Sequence, residues 1–239
     1  MSTIGQLFAA TVAADPAKPL LTWYDDATGE RTELSGATLA NWVSKTANLL
    51  VDGCGLGPGS VASISLPPHW QTASIMLACW TAGLAVSHSA DVPADVAFVE
   101  PEAEAAPAAP DTYAVSLHPF ALPLRGLPPG VSDWVSSARA HGDFYGGPAA
   151  DPGAPSLVGL PGGGGSITHV ELAERSLARA KELEIAKGDR VLIDIGAHPR
   201  PLDWLTAPIA AGASLVLSYR TASGILDSRA ATEHARLVP

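Results

Sequence analysis

Apolar residues recur at helical spacing at the start of the chain, where Ile4, Leu7, Phe8 and Val12 follow an i, i+3, i+4, i+8 pattern. This predicts a short amphipathic helix ending before Pro16. The period then changes. Residues 20–24 (Leu-Leu-Thr-Trp-Tyr) read as a strand, 25–29 as a turn and 30–34 as the returning strand of a hairpin. Leu39, Trp42, Val43, Thr46, Leu49 and Leu50 share one face of a helix over about 35–52, which Gly53, Gly55, Gly57, Pro58 and Gly59 close. A buried strand follows at 61–66, then a helix from 67 to 82 with Ile75, Leu77, Ala78 and Trp80 as its apolar part, then a short strand at 84–86. Such a β-α-β unit implies a right-handed crossover and parallel pairing.

Residues 100–110 (EPEAEAAPAAP) read as an exposed connector. Beyond it the pattern predicts a strand at 113–117, a helix at 132–140 and a loop over 142–155. Alternation then becomes regular, with strands at 156–160, 190–195 and 214–218 and helices at 170–184, 202–211 and 222–235. There is no internal repeat. The expected fold is α/β, one domain over 1–239, with a mostly parallel sheet flanked by helices.

Composition narrows the functional classes. Of the 239 residues, 47% are hydrophobic and 16% charged, enough apolar material for a sizeable core and incompatible with a disordered chain. The formal net charge of −10 leaves no electrostatic footprint for nucleic acid or an anionic membrane. No apolar run approaches the ~20 residues of a membrane helix, and the N-terminal stretch lacks the basic segment of a signal peptide. Cys54 and Cys79 form neither a disulfide framework nor a zinc spacing. A cytoplasmic location with reduced thiols is the expectation.

One segment invites chemistry. Pro161-Gly162-Gly163-Gly164-Gly165-Ser166 follows a strand and leads through Ile167-Thr168-His169 into a helix. Glycine-rich turns between strand and helix let backbone N–H groups approach a phosphate. The segment is neither G-x-G-x-x-G nor G-x-x-x-x-G-K-[ST], and alone it reads more readily as a flexible connector than as an anion cradle. A Ser166, His169, Asp194 triad lacks the G-x-S-x-G elbow. His69-Trp70 reads as packing, and the glutamates at 171, 174, 182 and 184 with Arg175, Arg179 and Lys181 as a solvated helix face.

Four stretches, in order, resemble the first part of the large domain of adenylate-forming (AMP-binding, acyl-CoA synthetase-like) enzymes. Pro19-Leu20-Leu21-Thr22-Trp23 with Thr38-Leu39-Ala40-Asn41 resembles the family's opening "P-A-L … T-Y-x-E-L". Leu56-Gly57-Pro58-Gly59-Ser60-Val61-Ala62-Ser63-Ile64 resembles "G-V-x-P-G-D-R-V-A-I". Thr168-His169 and Asp189-Arg190-Val191-Leu192 resemble the "T-H" after the phosphate loop and the later "D-R-V-L", and residues 211–217 resemble "x-G-A-x-x-V-L". The set is also similar to a group of short superfamily members without a known activity.

The resemblance implies a degenerate phosphate loop at Gly162, Gly163, Gly164, Gly165, Ser166 and Thr168, with His169, His198 and Trp204 as pocket candidates. The family's loop, approximately T-S-G-[ST]-T-G-x-P-K-G, carries hydroxyls and a lysine; this segment keeps one loop hydroxyl, Ser166, and no lysine. The family's adenine, magnesium and ribose residues and its C-terminal catalytic lysine lie beyond the stretch matched here. No cofactor is therefore expected, with ATP or AMP and Mg²⁺ bound only if the degenerate loop still holds them. The implied role is a binding or assembly module without adenylation activity. The alternative is a minimal acyl- or nucleotide-handling enzyme completed by a partner chain. A homodimer through the C-terminal helices, residues 202–211 and 225–237, is expected to cover apolar surface.

Overall fold

The computed structural model describes residues 2–103, 109–160 and 165–239. Helix α1 (Ile4–Ala14) precedes the hairpin of β1 (Pro19–Asp25) and β2 (Glu30–Ser35), and α2 (Gly36–Asn48) runs into one π-helical turn, Leu49–Gly53. Next come β3 (Val61–Ser65), α3 (Trp70–Thr81), β4 (Ala85–Ser87), β5 (Val96–Val99), β6 (Asp111–Ala114), β7 (Val131–Asp133) and α4 (Trp134–Arg139). The remainder is β8 (Pro155–Leu157), β9 (Ile167–Thr168), α5 (His169–Glu182), β10 (Arg190–Asp194), a second π-helical turn (Leu202–Thr206), α6 (Ala207–Ala211), β11 (Ser214–Tyr219), α7 (Leu226–Thr232) and β12 (Arg236–Leu237).

The α/β alternation expected from the pattern is present, and its parallel strands are divided between two sheets in two compact units. The first unit is Asn41–Leu172, the second Ile4–Ala40 with Ala173–Pro239.

The first unit holds the seven-stranded sheet β7-β6-β5-β3-β4-β8-β9, parallel except for β9. Helix α3 is buried from Trp70 to Trp80, more completely than its apolar residues alone require. The side chains of Gln71, Thr72 and Ser74 are hydrogen-bonded, which is what permits their burial, while the Trp70 indole N–H is buried without a hydrogen-bond partner among the described residues. The Gln71 amide donates to the His118 carbonyl (2.8 Å) and accepts from the Leu117 N–H (3.2 Å), and Thr72 donates to the Pro67 carbonyl (2.7 Å). His69 caps the helix, its Nδ1 accepting from the Gln71 N–H at 3.1 Å. Trp42 packs against Trp134 and Trp70, with ring centroids at 5.1 and 5.7 Å. The Trp80 indole donates to the Ser156 carbonyl (3.1 Å), tying α3 to β8.

The second unit holds the sheet β12-β10-β11-β1-β2, parallel except for β2. Trp23, Leu217 and Ile193 lie in register across it and are buried. Its apolar strands are the near-continuous runs expected of parallel strands covered on both faces.

Candidate functional site

The strands on either side of the glycine segment, β8 and β9, pair with each other. Leu157 pairs with Ile167 and Pro155 with Thr168 in antiparallel fashion, and the Leu160 N–H donates to the Gly165 carbonyl at 3.3 Å. Gly162, Gly163 and Gly164 lie outside the described residues. Gly165 and Ser166 are exposed, and a Cβ on Gly165 would meet nothing within 4 Å. The strand–loop–helix order read from the sequence therefore contains the extra strand β9.

Helix α5 starts with a reciprocal cap. The Thr168 N–H and hydroxyl both donate to Glu171 Oε2, at 2.7 and 3.0 Å, while the Glu171 N–H donates to Thr168 Oγ1 at 3.3 Å. This is the capping-box arrangement, and it puts the chain's own carboxylate at the positive end of the helix. His169, the first helical residue, is fully buried; its N–H donates to the Ala154 carbonyl at 3.0 Å. Burial holds its imidazole below the usual histidine range, against the opposing pull of the Gly83 backbone and the Asp151 charge.

Beside this hairpin, at the carboxyl ends of β3 and β4, sits a residue the pattern did not single out. His88 is exposed, and its Nδ1 lies 3.0 Å from the Ile64 carbonyl. A carbonyl only accepts, so the neutral ring carries its proton on Nδ1 and leaves Nε2 as an acceptor. Ser87 Oγ accepts from the Ser89 N–H (3.1 Å), and Gly159 is pressed against this turn: a Cβ there would stand 2.5 Å from Val92 Cγ2 and 3.1 Å from Ser87 Oγ. No periodicity marks a lone histidine in a loop; only its position after a parallel strand is a signal.

His198 and Trp204 belong to the second unit, and both are buried. The His198 N–H donates to the Asp194 carbonyl (2.9 Å). Next to Trp204, the buried Asp203 carboxylate receives Arg179 Nε (2.7 Å) and Arg200 Nε (2.9 Å). Burial alone would raise its pKa, but the bonds and charges of Arg200 and Arg179 hold it below the usual carboxylate value. Arg179, read as part of a solvated face, thus has one hand on Glu182 and one on a buried acid. Of the triad residues, Ser166 is exposed and His169 buried, while Asp194 Oδ1 accepts from the Thr221 hydroxyl at 2.6 Å.

The densest polar cluster of the second unit covers one face of its sheet. Glu233 is bound by Tyr24, Arg31 and Arg190, Arg31 also reaches Glu33 (2.7 Å), and Arg190 reaches the Thr22 hydroxyl (3.0 Å). Arg229 pairs with Asp26 and lies 4.2 Å above the Tyr24 ring. These charges are mutually satisfied, which makes the cluster a clamp between α7 and the strands. Among the described residues no group of three or more His, Cys, Asp or Glu is placed to hold a metal, and no helix is long and apolar enough to cross a membrane.

No protein-family model matches the sequence. A "TIGR03089 family protein" of Mycobacterium tuberculosis (strain ATCC 25618 / H37Rv) is 42% identical over 239 residues, covering 96% of this chain and 94% of that one. Among solved structures, the crystal structure of Brucella canis acyl-CoA synthetase matches with a TM-score of 0.75 at 15% identity, over 99% of this chain. The match covers 47% of the synthetase, so the chain spans about half the length of that enzyme. At this identity the likeness establishes the fold, which is that of acyl-CoA synthetases, as the ordered motifs implied.

Proposed function

The chain belongs to the TIGR03089 family, and we propose that it is a non-adenylating binding or assembly module built on an acyl-CoA synthetase-like fold. The observation that carries this reading is the Glu171 carboxylate at the N-terminus of α5, holding both donors of Thr168. A phosphate approaching the hairpin from that side meets a like charge where a helix terminus would otherwise attract it. Residues 155–170 contain no lysine or arginine to offset that charge. Phosphoryl and adenylyl chemistry depends on neutralising phosphate charge, and this arrangement opposes it. The test is ATP–pyrophosphate exchange with a panel of carboxylic acids, together with calorimetric titration of ATP and AMP in the presence of Mg²⁺. No exchange and no saturable heat are expected; exchange by the purified chain that disappears in Gly165→Trp overturns the reading.

His88 supports a second reading, an acyl- or nucleotide-handling enzyme completed by a partner chain. Its fixed tautomer leaves Nε2 as a proton acceptor at the carboxyl ends of parallel strands, where α/β sheets commonly bind ligands. Under that reading, His88→Ala abolishes turnover in the assembled complex while leaving assembly intact.

As an assembly unit the chain is proposed to form a homodimer. The stretch from Asp203 to Ala210 is buried in the chain's own fold, so the large apolar side chains open to a partner lie elsewhere, at Phe120, Leu122, Phe144 and Leu177.

A further inference from the structure

Two adjoining clefts, of about 200 and 210 Å³, run along one face of α1 in the second unit. Leu7, Ala10, Thr11 and Ala14, at i, i+3, i+4 and i+7, form one wall, and the turn at Lys187 and Gly212 faces them. The groove continues to the amino ends of β1 and β11, with Leu20 and Ala213 in its lining. It therefore lies at the opposite end of these strands from their carboxyl ends, and nothing in the proposed function uses it.

Its charges are unusual for this chain. Of the four lysines in the sequence, two, Lys18 and Lys187, line the same cleft. Both are exposed, and among the described residues neither ammonium has an ion-pair or hydrogen-bond partner. Most of the unit's arginines contrast with them: Arg31, Arg179, Arg190, Arg200, Arg220 and Arg229 are committed to carboxylates, while Arg175 and Lys181, unpaired among the described residues, stand on α5, outside the groove. One acid shares the cleft, Asp15, whose Oδ1 accepts from the Lys18 N–H at 3.3 Å. The backbone around the groove is already paired, with the Gly188 N–H on the Gly212 carbonyl (3.0 Å) and the Ser214 N–H on the Asp189 carbonyl (2.8 Å). The Thr11 hydroxyl donates to the Leu7 and Ile209 carbonyls, at 2.9 and 3.1 Å. The two ammonium groups are what this site offers a polar ligand, and the alanine-lined wall what it offers an apolar one.

We propose that the groove binds a small phosphomonoester with a short aliphatic body, its dianionic head between Lys18 and Lys187 and its carbon chain along α1. Two point cations suit a doubly charged, non-planar head better than a carboxylate, whose planar fork is matched by arginine. The clefts limit the body to a few carbons, and each methylene buried there contributes up to about a fourfold gain in affinity.

The experiment is an NMR titration of the full chain with hexyl phosphate, with hexanol and inorganic phosphate as comparison probes. Saturable shifts are expected at the amides of Thr11, Lys187, Gly188 and Gly212, with weaker binding of inorganic phosphate and none of hexanol. Lys18→Glu and Lys187→Glu each weaken binding by roughly three- to tenfold. Asp15→Asn tightens it. Affinity falls as pH drops through about 6, where the dianion takes up a proton and becomes a monoanion. The substitutions are at exposed positions, and unchanged spectra away from the groove verify that the variants fold. Equal binding by the Lys18→Glu/Lys187→Glu double variant, shifts that map outside the groove, or no saturation overturns the site.

Discussion

Arg190 holds Glu233 twice, Nε donating to its backbone carbonyl at 2.9 Å and Nη2 to its carboxylate at 2.5 Å. The first bond fixes the end of α7 and the second its terminal acid, so one side chain of β10 anchors the last helix to the sheet.

That relationship sets an acid limit on stability. Burial pushes the Glu233 carboxyl up, but hydrogen bonds from Tyr24, Arg190 and Arg31 and the Arg31 charge outweigh it and bring the pKa from 4.5 down to about 2. Because the folded value is the lower one, the contribution is complete above about pH 4.5 and is lost as pH falls toward 2. It amounts to roughly 3 kcal/mol at most. Asp25, Asp26 and Asp203 are lowered in the same sense and add to the slope. Thermal melts between pH 5 and 2 are expected to show a steep fall in Tm that is shallower in Glu233→Gln. The variant itself loses about 1–3 kcal/mol at pH 7, because Arg190 and Arg31 keep their charge without its partner. Parallel pH profiles for the two proteins refute the clamp.

Much of this architecture is legible in the chain, and the misses have physical causes. The opening helix, the hairpin, α2, α3 and the strands β3, β10 and β11 follow from apolar period alone. β9 and β12 are two residues long, too short to carry a period. β5 is a four-residue buried run, Val-Ala-Phe-Val, without the alternation that betrays a half-exposed strand. The strand expected at 113–117 is observed at Asp111–Ala114, and the chain turns away at Leu117, whose φ is +52°. The last helix, expected over 222–235, is trimmed to Leu226–Thr232, with Gly224 (φ +75°) before it and His234 (φ +49°) after it. For the candidate site, Thr168 and Glu171 stand at capping-box spacing and were readable. The His88 tautomer and the Glu233 clamp come from pairings over long sequence separations, which no local pattern encodes.

Gly159 and Gly55 separate two costs. Both have φ of +69°, but a Cβ on Gly159 would lie 2.5 Å from Val92 Cγ2, whereas one on Gly55 would meet nothing within 4 Å. Gly55→Ala is expected to cost about 1 kcal/mol, from backbone strain alone. Gly159→Ala adds overpacking and is expected to cost about 2–4 kcal/mol. Urea unfolding midpoints compare them directly; equal losses mean that the Ser87–Val92 turn yields freely and does not fix the base of the hairpin.

The thiols are expected to be sluggish. Cys79 is fully buried, and burial pushes its thiol far above the ordinary value. For Cys54 burial again raises the pKa, partly countered by Tyr113, whose hydroxyl lies 3.3 Å from Sγ, while Asp111 raises it further. Reactivity follows the thiolate fraction. With an aromatic disulfide reagent at pH 8, the native protein should show slow reaction at Cys54 and none at Cys79, with both reacting at once in denaturant. A fast native reaction at Cys54 would mean that the Tyr113 contact does not persist in solution.

Self-association completes the set, and the burial pattern changes where to look for it. Residues Trp204, Leu205, Ala207 and Ile209 are at most 1% exposed, so the middle of the first expected stretch, 202–211, has little apolar surface to offer, while Ile225, Leu226 and Leu237 of the second are half-buried. Phe120 and Phe144 are 76% and 82% exposed, with Leu122 at 52%. Fully covering a phenylalanine is worth about 1.5–3 kcal/mol, so two such side chains on each copy give a dimer a substantial fraction of its driving force. Sedimentation equilibrium at micromolar concentration is expected to show a dimer of the 24.4 kDa chain. Phe120→Ser and Phe144→Ser are each expected to weaken it by at least tenfold, since ~1.4 kcal/mol is a factor of ten. Trp204→Phe, a change inside the fold, should leave the association constant unaltered. A wild-type chain that stays monomeric across the range ends the homodimer proposal. A dimer indifferent to both serine variants moves its interface away from these side chains.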